Sequence, residues 1–255
     1  MCERGRWLWQ TVHGRARGGP NGSRATPVND NGHVYLLGGH GLIGCYDAAN
    51  GDNKWTRETK EFGGKPGGWG YAESFLIYKN MAIFKPGGES CIVALDKTTG
   101  ETIWHSSGFD AGPEYGSCVV VSYQGETMIV TGTRKGIFAV DADNGNLRWS
   151  NDWSAGNTAN CPTPACSDGY VFWSNGYGKG GICLKLKKEN DSVTVDVAWT
   201  TNKLVCHHGG YVIHNGYIYG NHGVGWTCLE LRTGEQQWNE RAVGKGSLCF
   251  ADDML

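Results

Sequence analysis

The residues able to do chemistry in this chain gather in short, glycine-flanked polar segments that recur along it. They are Ser23-Arg24-Ala25-Thr26, Trp69-Gly70-Tyr71-Ala72-Glu73-Ser74, Glu114-Tyr115-Gly116-Ser117, Asn157-Thr158-Ala159-Asn160, His207-His208-Gly209-Gly210 and Lys245-Gly246-Ser247. Facing one another, Arg24, Trp69, Tyr71, Glu73, Tyr115, Ser117, Asn160, His207, His208 and Lys245 would line a pocket of mixed charge. Such a lining suits a small polar ligand or an anionic cofactor, and the glycines let backbone and ligand approach closely. The same residues could equally satisfy one another around ordered water in a narrow tunnel, so both readings stay open. A neutral imidazole at such a place can act as acid or base near pH 7. Neighbours on a strand point to opposite faces, which sends one of His207 and His208 into the channel and the other into packing. Cys206, His214 and His222 lack the ordered spacing of known metal sites. Phosphate-binding glycine loops and Ser/His/Asp nucleophile motifs are missing as well, so no catalytic residue and no metal ligand is assigned.

The elements that would hold these segments are announced by tryptophans. Asp47-Ala-Ala-Asn-Gly51-Asp-Asn-Lys-Trp55, Asp96-Lys-Thr-Thr-Gly100-Glu-Thr-Ile-Trp104, Asp141-Ala-Asp-Asn-Gly145-Asn-Leu-Arg-Trp149 and Glu230-Leu-Arg-Thr-Gly234-Glu-Gln-Gln-Trp238 superimpose without gaps, and Trp199 closes a fifth, divergent copy. Acid and Asn or Thr can bond local backbone while Gly takes a positive φ, the chemistry of a tight hairpin. A second turn precedes each phrase at Gly32, Asn80, Gly125, Gly169 and Gly216, at 23, 24, 24, 30 and 22 residues from the closing Trp. The long fourth interval carries Lys187-Lys-Glu-Asn-Asp191, read as a protruding solvated hairpin. Strand formers surround these turns, and no helical period is visible. Four short strands per repeat of roughly 40–50 residues describe the blades of an all-β propeller. Trp55, Trp104, Trp149, Trp199 and Trp238 are then blade-docking residues, each ring buried between neighbours with its N–H on a backbone acceptor. The blades fall at 23–57, 70–106, 115–151, 159–201 and 207–240, with partial blades at 1–12 and 244–255. The chain thus reads as part of a longer propeller, the alternative being a sixth blade made jointly by the two ends.

Composition narrows the partners. In 255 residues, 23 Lys+Arg stand against 25 Asp+Glu, a net charge of −2, which gives no general attraction to nucleic acid or anionic lipid. Forty-one glycines fit a chain that turns every few residues. No apolar run approaches the ~20 residues of a transmembrane segment, and Met1–Gln10 lacks the pattern of a signal peptide. Ten cysteines include no Cys-x-x-Cys and no adjacent pair. Cys45, Cys183 and Cys228 fall on third strands and Cys118 and Cys249 on first strands, where reduced, buried thiols are expected.

The phrase Asp-x-x-Thr/Asn-Gly-x-x-x-Trp, with an apolar strand and a small residue ahead of the acid, resembles the repeat of pyrroloquinoline-quinone (PQQ)-like β-propellers over about residues 20–255. That superfamily holds quinoprotein dehydrogenases and non-catalytic relatives such as an outer-membrane-assembly lipoprotein. The resemblance implies an eight-bladed parent in a periplasmic or other extracytoplasmic compartment. It favours a monomeric, non-catalytic binding or scaffold module, with a protein partner or small polar ligand at the channel mouth. The alternative it carries is a PQQ- and calcium-dependent alcohol or sugar dehydrogenase. There Glu73 and Asn160 would offer oxygens, Arg24 and Lys245 would pair with carboxylates, and Trp69 or Tyr71 would stack. The Asp base and the adjacent-cysteine disulfide of that class are missing. A third reading, carbohydrate or peptide binding, rests on Trp69, Trp153, Trp173 and Tyr177 as exposed aromatics.

Overall fold

The computed structural model describes residues 8–15, 24–156, 159–190, 192–223, 225–241 and 244–255. Ser23, Asn157, Thr158, Asp191 and the 1–7 portion of the first partial blade lie outside the described residues. The rest folds as five four-stranded antiparallel sheets, each ordered as in the sequence. Blade 1 comprises β1 (Val28–Asp30), β2 (His33–Leu37), β3 (Leu42–Asp47) and β4 (Asn53–Glu58). Blade 2 comprises β5 (Leu76–Tyr78), β6 (Met81–Phe84), β7 (Val93–Asp96) and β8 (Thr102–His105). Blade 3 holds β9 (Val119–Tyr123), β10 (Glu126–Thr133), β11 (Gly136–Asp141) and β12 (Leu147–Asn151). Blade 4 holds β13 (Ala165–Ser167), β14 (Tyr170–Asn175), β15 (Gly180–Glu189) and β16 (Ser192–Thr201). Blade 5 holds β17 (Tyr211–His214), β18 (Tyr217–His222), β19 (Gly225–Glu230) and β20 (Gln236–Arg241). The chain is an all-β propeller, and one 3₁₀ turn, Thr59–Phe62, interrupts the strands.

Local chemistry explains the hairpins. Four of the turns between first and second strands are residue-Gly pairs with both φ positive, at Asn31-Gly32, Gln124-Gly125, Asp168-Gly169 and Asn215-Gly216, which matches the twist of a tight hairpin. Between third and fourth strands the acid closes the turn on itself: Asp96 Oδ1 accepts the N–H groups of Thr98 (2.8 Å) and Thr99 (3.0 Å), and Asp47 and Asp141 do the same.

The tryptophans tie each sheet to the next. Trp55 Nε1 donates to Lys97 O (3.0 Å) and Trp199 Nε1 to Leu231 O (3.0 Å), in both cases the carbonyl just after the acid of the following blade. Trp9 makes the same bond to Ala48 O (2.9 Å). The phrase glycine lies flat on the incoming ring: a Cβ at Gly51, Gly100, Gly145 or Gly234 would stand 2.5–2.8 Å from Trp9, Trp55, Trp104 or Trp199. Within its own blade each indole pairs across the ladder with a small residue, Cys45, Ala94, Ala139, Cys183 or Cys228, and the register slips by one residue immediately afterwards. This repeated β-bulge bends the outer strand toward its neighbour.

Four details differ from the sequence reading. Trp104 and Trp149 are buried but their N–H groups meet no acceptor. In blade 4 the strand runs on through Leu186 into the long hairpin, so no turn carbonyl is presented to Trp149. That hairpin is not simply solvated, because Leu186 and Val193 are buried against Trp149 and Lys188 Nζ reaches Gln124 O and Glu126 of blade 3. Trp238 is 40% exposed, with no sheet of the described residues against it. Residues 244–255 form no ladder with a sheet, so Cys249 lies exposed in a loop and not on a first strand. The nine described cysteines are unbridged thiols.

Candidate functional site: the channel mouth

The segments leading into the first strands converge on one cavity of about 720 Å³. Arg24 and Thr26 reach it from blade 1, Trp69, Ala72 and Ser74 from blade 2, and Tyr115 and Ser117 from blade 3. Ala159, Cys161 and Thr163 come from blade 4, with Tyr177 from the β14–β15 turn, and His207 and His208 lead into blade 5. The numbers advance in twos because the segments are extended, so alternate side chains face the cavity and those between face the sheets.

That alternation sorts the candidate residues. Arg24, Trp69, Tyr115, Ser117, His207 and His208 are brought together at the cavity. Tyr71, Glu73 and Asn160 are not; each is about 1% exposed. Tyr71 Oη donates to Pro86 O (3.0 Å), and burial pushes its phenol up to about 12. Glu73 Oε1 accepts the Lys85 N–H at 2.5 Å; burial raises its carboxyl to about 7, against the opposing pull of Lys85. Asn160 Oδ1 accepts the Ala155 N–H (2.9 Å), and its own N–H donates to Glu114 Oε2 (2.8 Å). Lys245 stands off the main cavity, on a recess of about 90 Å³ behind His207.

Lys85, which the sequence reading passed over, is fully buried, its ammonium donating to Gly116 O (2.8 Å), Thr131 Oγ1 (3.1 Å) and Gly132 O (3.2 Å). Its signal was a cation ending the apolar run Met81-Ala82-Ile83-Phe84. Thr163 and Cys161 were missed because the fourth polar segment was placed a few residues too early. Burial lifts the Cys161 thiol to about 11, so it stays protonated near neutrality.

A row of hydroxyls runs round the cavity from blade to blade. Thr26 N–H donates to Ser74 Oγ (3.0 Å), Ser74 N–H to Ser117 Oγ (3.0 Å) and Ser117 N–H to Thr163 Oγ1 (2.9 Å). Aromatic rings form the walls: Trp69 meets Tyr115 edge-on at 5.8 Å, and Tyr177 meets His207 at 4.7 Å. His207 and His208 stack at 4.1 Å, both on the cavity. Strand alternation does not part them because residues 207–209 form a bend. Burial, then His208 and Lys245, hold the His207 imidazole below its usual pKa, and Lys245 Nζ meets its Nδ1 at 3.1 Å. Of the remaining aromatics, Tyr177 and Trp69 are about half exposed, whereas Trp173 is fully buried with its Nε1 on Pro162 O (3.0 Å) and Trp153 packs edge-on against it. Among the described residues no group of three or more His, Cys, Asp or Glu is placed to hold a metal.

Residues 2–240 match the family profile described as outer membrane protein assembly factor BamB. The crystal structure of BamB from Moraxella catarrhalis superimposes with a TM-score of 0.61 at 15% identity, covering 91% of this chain and 64% of that one. A quinohemoprotein alcohol dehydrogenase from Pseudomonas putida HK5 does so at 0.57 and 14%, covering 87% of this chain and 42% of the other. A curated relative, tetrathionate hydrolase of Acidithiobacillus ferrooxidans, is 25% identical over 177 residues, which are 63% of this chain and 34% of that protein. The chain therefore spans less than two thirds of the length of these relatives. With its repeated sheets, docked indoles and matched profile, it belongs to the PQQ-like propeller family described as outer membrane protein assembly factor BamB.

Proposed function

We propose that this chain is a non-catalytic binding propeller of an extracytoplasmic protein, taking a protein segment or small polar ligand into the cavity at its channel mouth. The observation that carries this reading is the division of labour among the polar residues. Glu73 and Asn160 are committed to internal networks, while the cavity is faced by half-exposed rings and hydroxyls. Rigid blades holding such a surface make a preformed site. The family description, an assembly factor, agrees with a role in binding. Among the described residues no helix is long and apolar enough to cross a membrane.

The dehydrogenase alternative asks for a calcium ion and a quinone. Its oxygen ligands do not fit here: no carboxylate lines the cavity among the described residues, since Glu73 turns to the Lys85 N–H and Glu114 to the Asn160 N–H and the Arg134 guanidinium. Arg24 and Trp69 could hold a quinone's carboxylate and ring, but nothing beside them offers the hard oxygen set that calcium requires. Titration of the purified chain with PQQ and CaCl₂, followed by absorbance and by dye reduction with ethanol or glucose, tests the reading. Neither a saturable cofactor spectrum nor turnover is expected. A bound-quinone spectrum with alcohol-dependent dye reduction would overturn it.

A further inference from the structure

We propose that the hydroxyl row is an oxyanion ledge, so that the ligand of this cavity carries a carboxylate or a sulfur oxyanion seated against Ser74, Ser117 and Thr163 with Arg24 beside it. The inference rests on the binding reading above and names its ligand class.

A hydroxyl has one hydrogen and two lone pairs. At Ser74, Ser117 and Thr163 one lone pair is taken by the N–H of the preceding blade's hydroxyl residue, at 3.0, 3.0 and 2.9 Å. The hydrogens go to no protein acceptor among the described residues, and all three side chains line the cavity. Bonds from backbone N–H groups fix which way each oxygen faces, leaving three O–H groups to donate into the same space. An array of preset donors recognises developed negative charge better than a neutral oxygen, since hydrogen bonds to an ionised acceptor are about twice as strong.

Charge at the wall agrees. The chain as a whole is slightly acidic, at −2, yet the described cavity residues include the Arg24 guanidinium and no carboxylate, while the His207 imidazole, held below its usual pKa, adds no charge near neutrality. Local sign is thus opposite to overall sign, which favours an anion at this spot. The Trp69–Tyr115 pair gives an apolar surface for the body of the ligand beside its charged end. The ring of hydroxyls ends at blade 5, where Gly209 stands and a Cβ would meet Gly246 O at 1.9 Å. His207 and His208 occupy that side of the cavity instead.

Calorimetric titration of the intact chain with succinate and with thiosulfate, at constant ionic strength against a chloride control, tests the ledge and separates the two anion sources. Saturable binding above the chloride control is expected. Arg24→Gln, Ser117→Ala and Thr163→Val should each weaken it roughly tenfold. Ser117→Thr and Thr163→Ser, which keep the hydroxyl, should restore it. Because Ser117→Ala also strips an acceptor from a neighbouring N–H, thermal melts accompany each variant, and Arg24→Gln leaves the row itself untouched. Anions that bind no better than chloride, or whose affinity ignores all three changes, would overturn the ledge. A neutral sugar or blocked peptide that saturably shifts Trp69 fluorescence while succinate and thiosulfate do not would overturn it too, yet leave the binding reading standing. Quinone binding with turnover would do the reverse.

Discussion

Glu73 lies between the cavity-lining residues Ala72 and Ser74 but turns its carboxyl away from the cavity to the Lys85 N–H. Glu73 is buried with Oε2 unpartnered, and its carboxyl is raised to about 7. An acid whose pKa is higher in the folded chain holds its proton there after the unfolded chain has released it. Its contribution to stability is therefore fully present below about pH 4.5 and is lost as pH rises through about 7, a loss of the order of 3 kcal/mol. Glu73→Gln removes that dependence. The melting temperature of the wild type should fall more steeply than that of the variant between pH 5 and 7.5, while the two run parallel below pH 4.5; parallel curves throughout would show that Glu73 ionises normally. Lys85→Met should destabilise by roughly 3–5 kcal/mol above pH 7, where it leaves three oxygens and an ionised carboxylate without their cation, and by less below pH 7, where Glu73 is protonated; urea midpoints at the two pH values would show it. The sequence displayed the polar segments but not their phase. Arg24, Trp69, Tyr115 and Ser117 share the cavity because each occupies the correct alternate position of an extended stretch, whereas Tyr71, Glu73 and Asn160 occupy the other. Where the extended stretch becomes strand decides the phase, and short irregular lead-ins hide that point. The bend that stacks His207 on His208 was hidden for the same reason.

The blade interface is a device of four parts: an indole, the carbonyl after the next acid, a glycine face and a small residue across the ladder. Sequence showed the phrase because in four copies the acid and the glycine stand at fixed distances from the Trp of their own blade, whereas the carbonyl and glycine that meet that Trp belong to the next copy. Two of the reasons for them are three-dimensional. Gly100 has φ +76°, and a Cβ there would stand 2.8–3.0 Å from the Trp55 ring, while Gly32 has φ +75° and a Cβ there would meet nothing within 4 Å. An alanine at Gly32 therefore meets only the left-handed backbone penalty of about 1–2 kcal/mol. At Gly100 it also overpacks the interface, adding about 1–3 kcal/mol. Equilibrium urea unfolding should rank Gly100→Ala as clearly the more damaging; equal losses would mean that the glycine serves only its dihedral. The indole N–H offers a second comparison. Trp55→Phe loses a bond to Lys97 O, worth about 0.5–1.5 kcal/mol, whereas Trp104→Phe deletes an N–H that has no acceptor. Trp104→Phe should be the milder change in the same assay. The fourth interval, read from its charges as a solvated hairpin, shows where composition misleads: alternation puts Leu186 and Val193 on one face, and that face covers Trp149. Charge marked the exposed side of the hairpin and concealed the buried one.

As a whole, the molecule is a row of equivalent sheets whose cohesion is the sum of nearest-neighbour interfaces, as in other repeat architectures. Trp55, Trp104 and Trp149 are 6–7% exposed, each wedged between two blades, and Trp9 fills the same kind of seat on blade 1. Trp238 is built identically, opposite Cys228 with the bulge behind it, yet is 40% exposed and among the described rings touches only Tyr219, at 6.1 Å. All six residues of β20 are exposed with it. The same side chain in the same strand position thus differs in whether a neighbouring blade of the described residues covers it, which isolates the worth of one interface. Trp149→Ala should lower stability by roughly 3–5 kcal/mol, as for other buried aromatic truncations. Trp238→Ala, on an open face, should change it by about 1 kcal/mol or less. Denaturant unfolding at two protein concentrations tests both values at once. A Trp238→Ala loss as large as that of Trp149→Ala, growing with concentration, would mean that β20 is covered in solution by another chain; the same loss without concentration dependence would mean that it is covered from within.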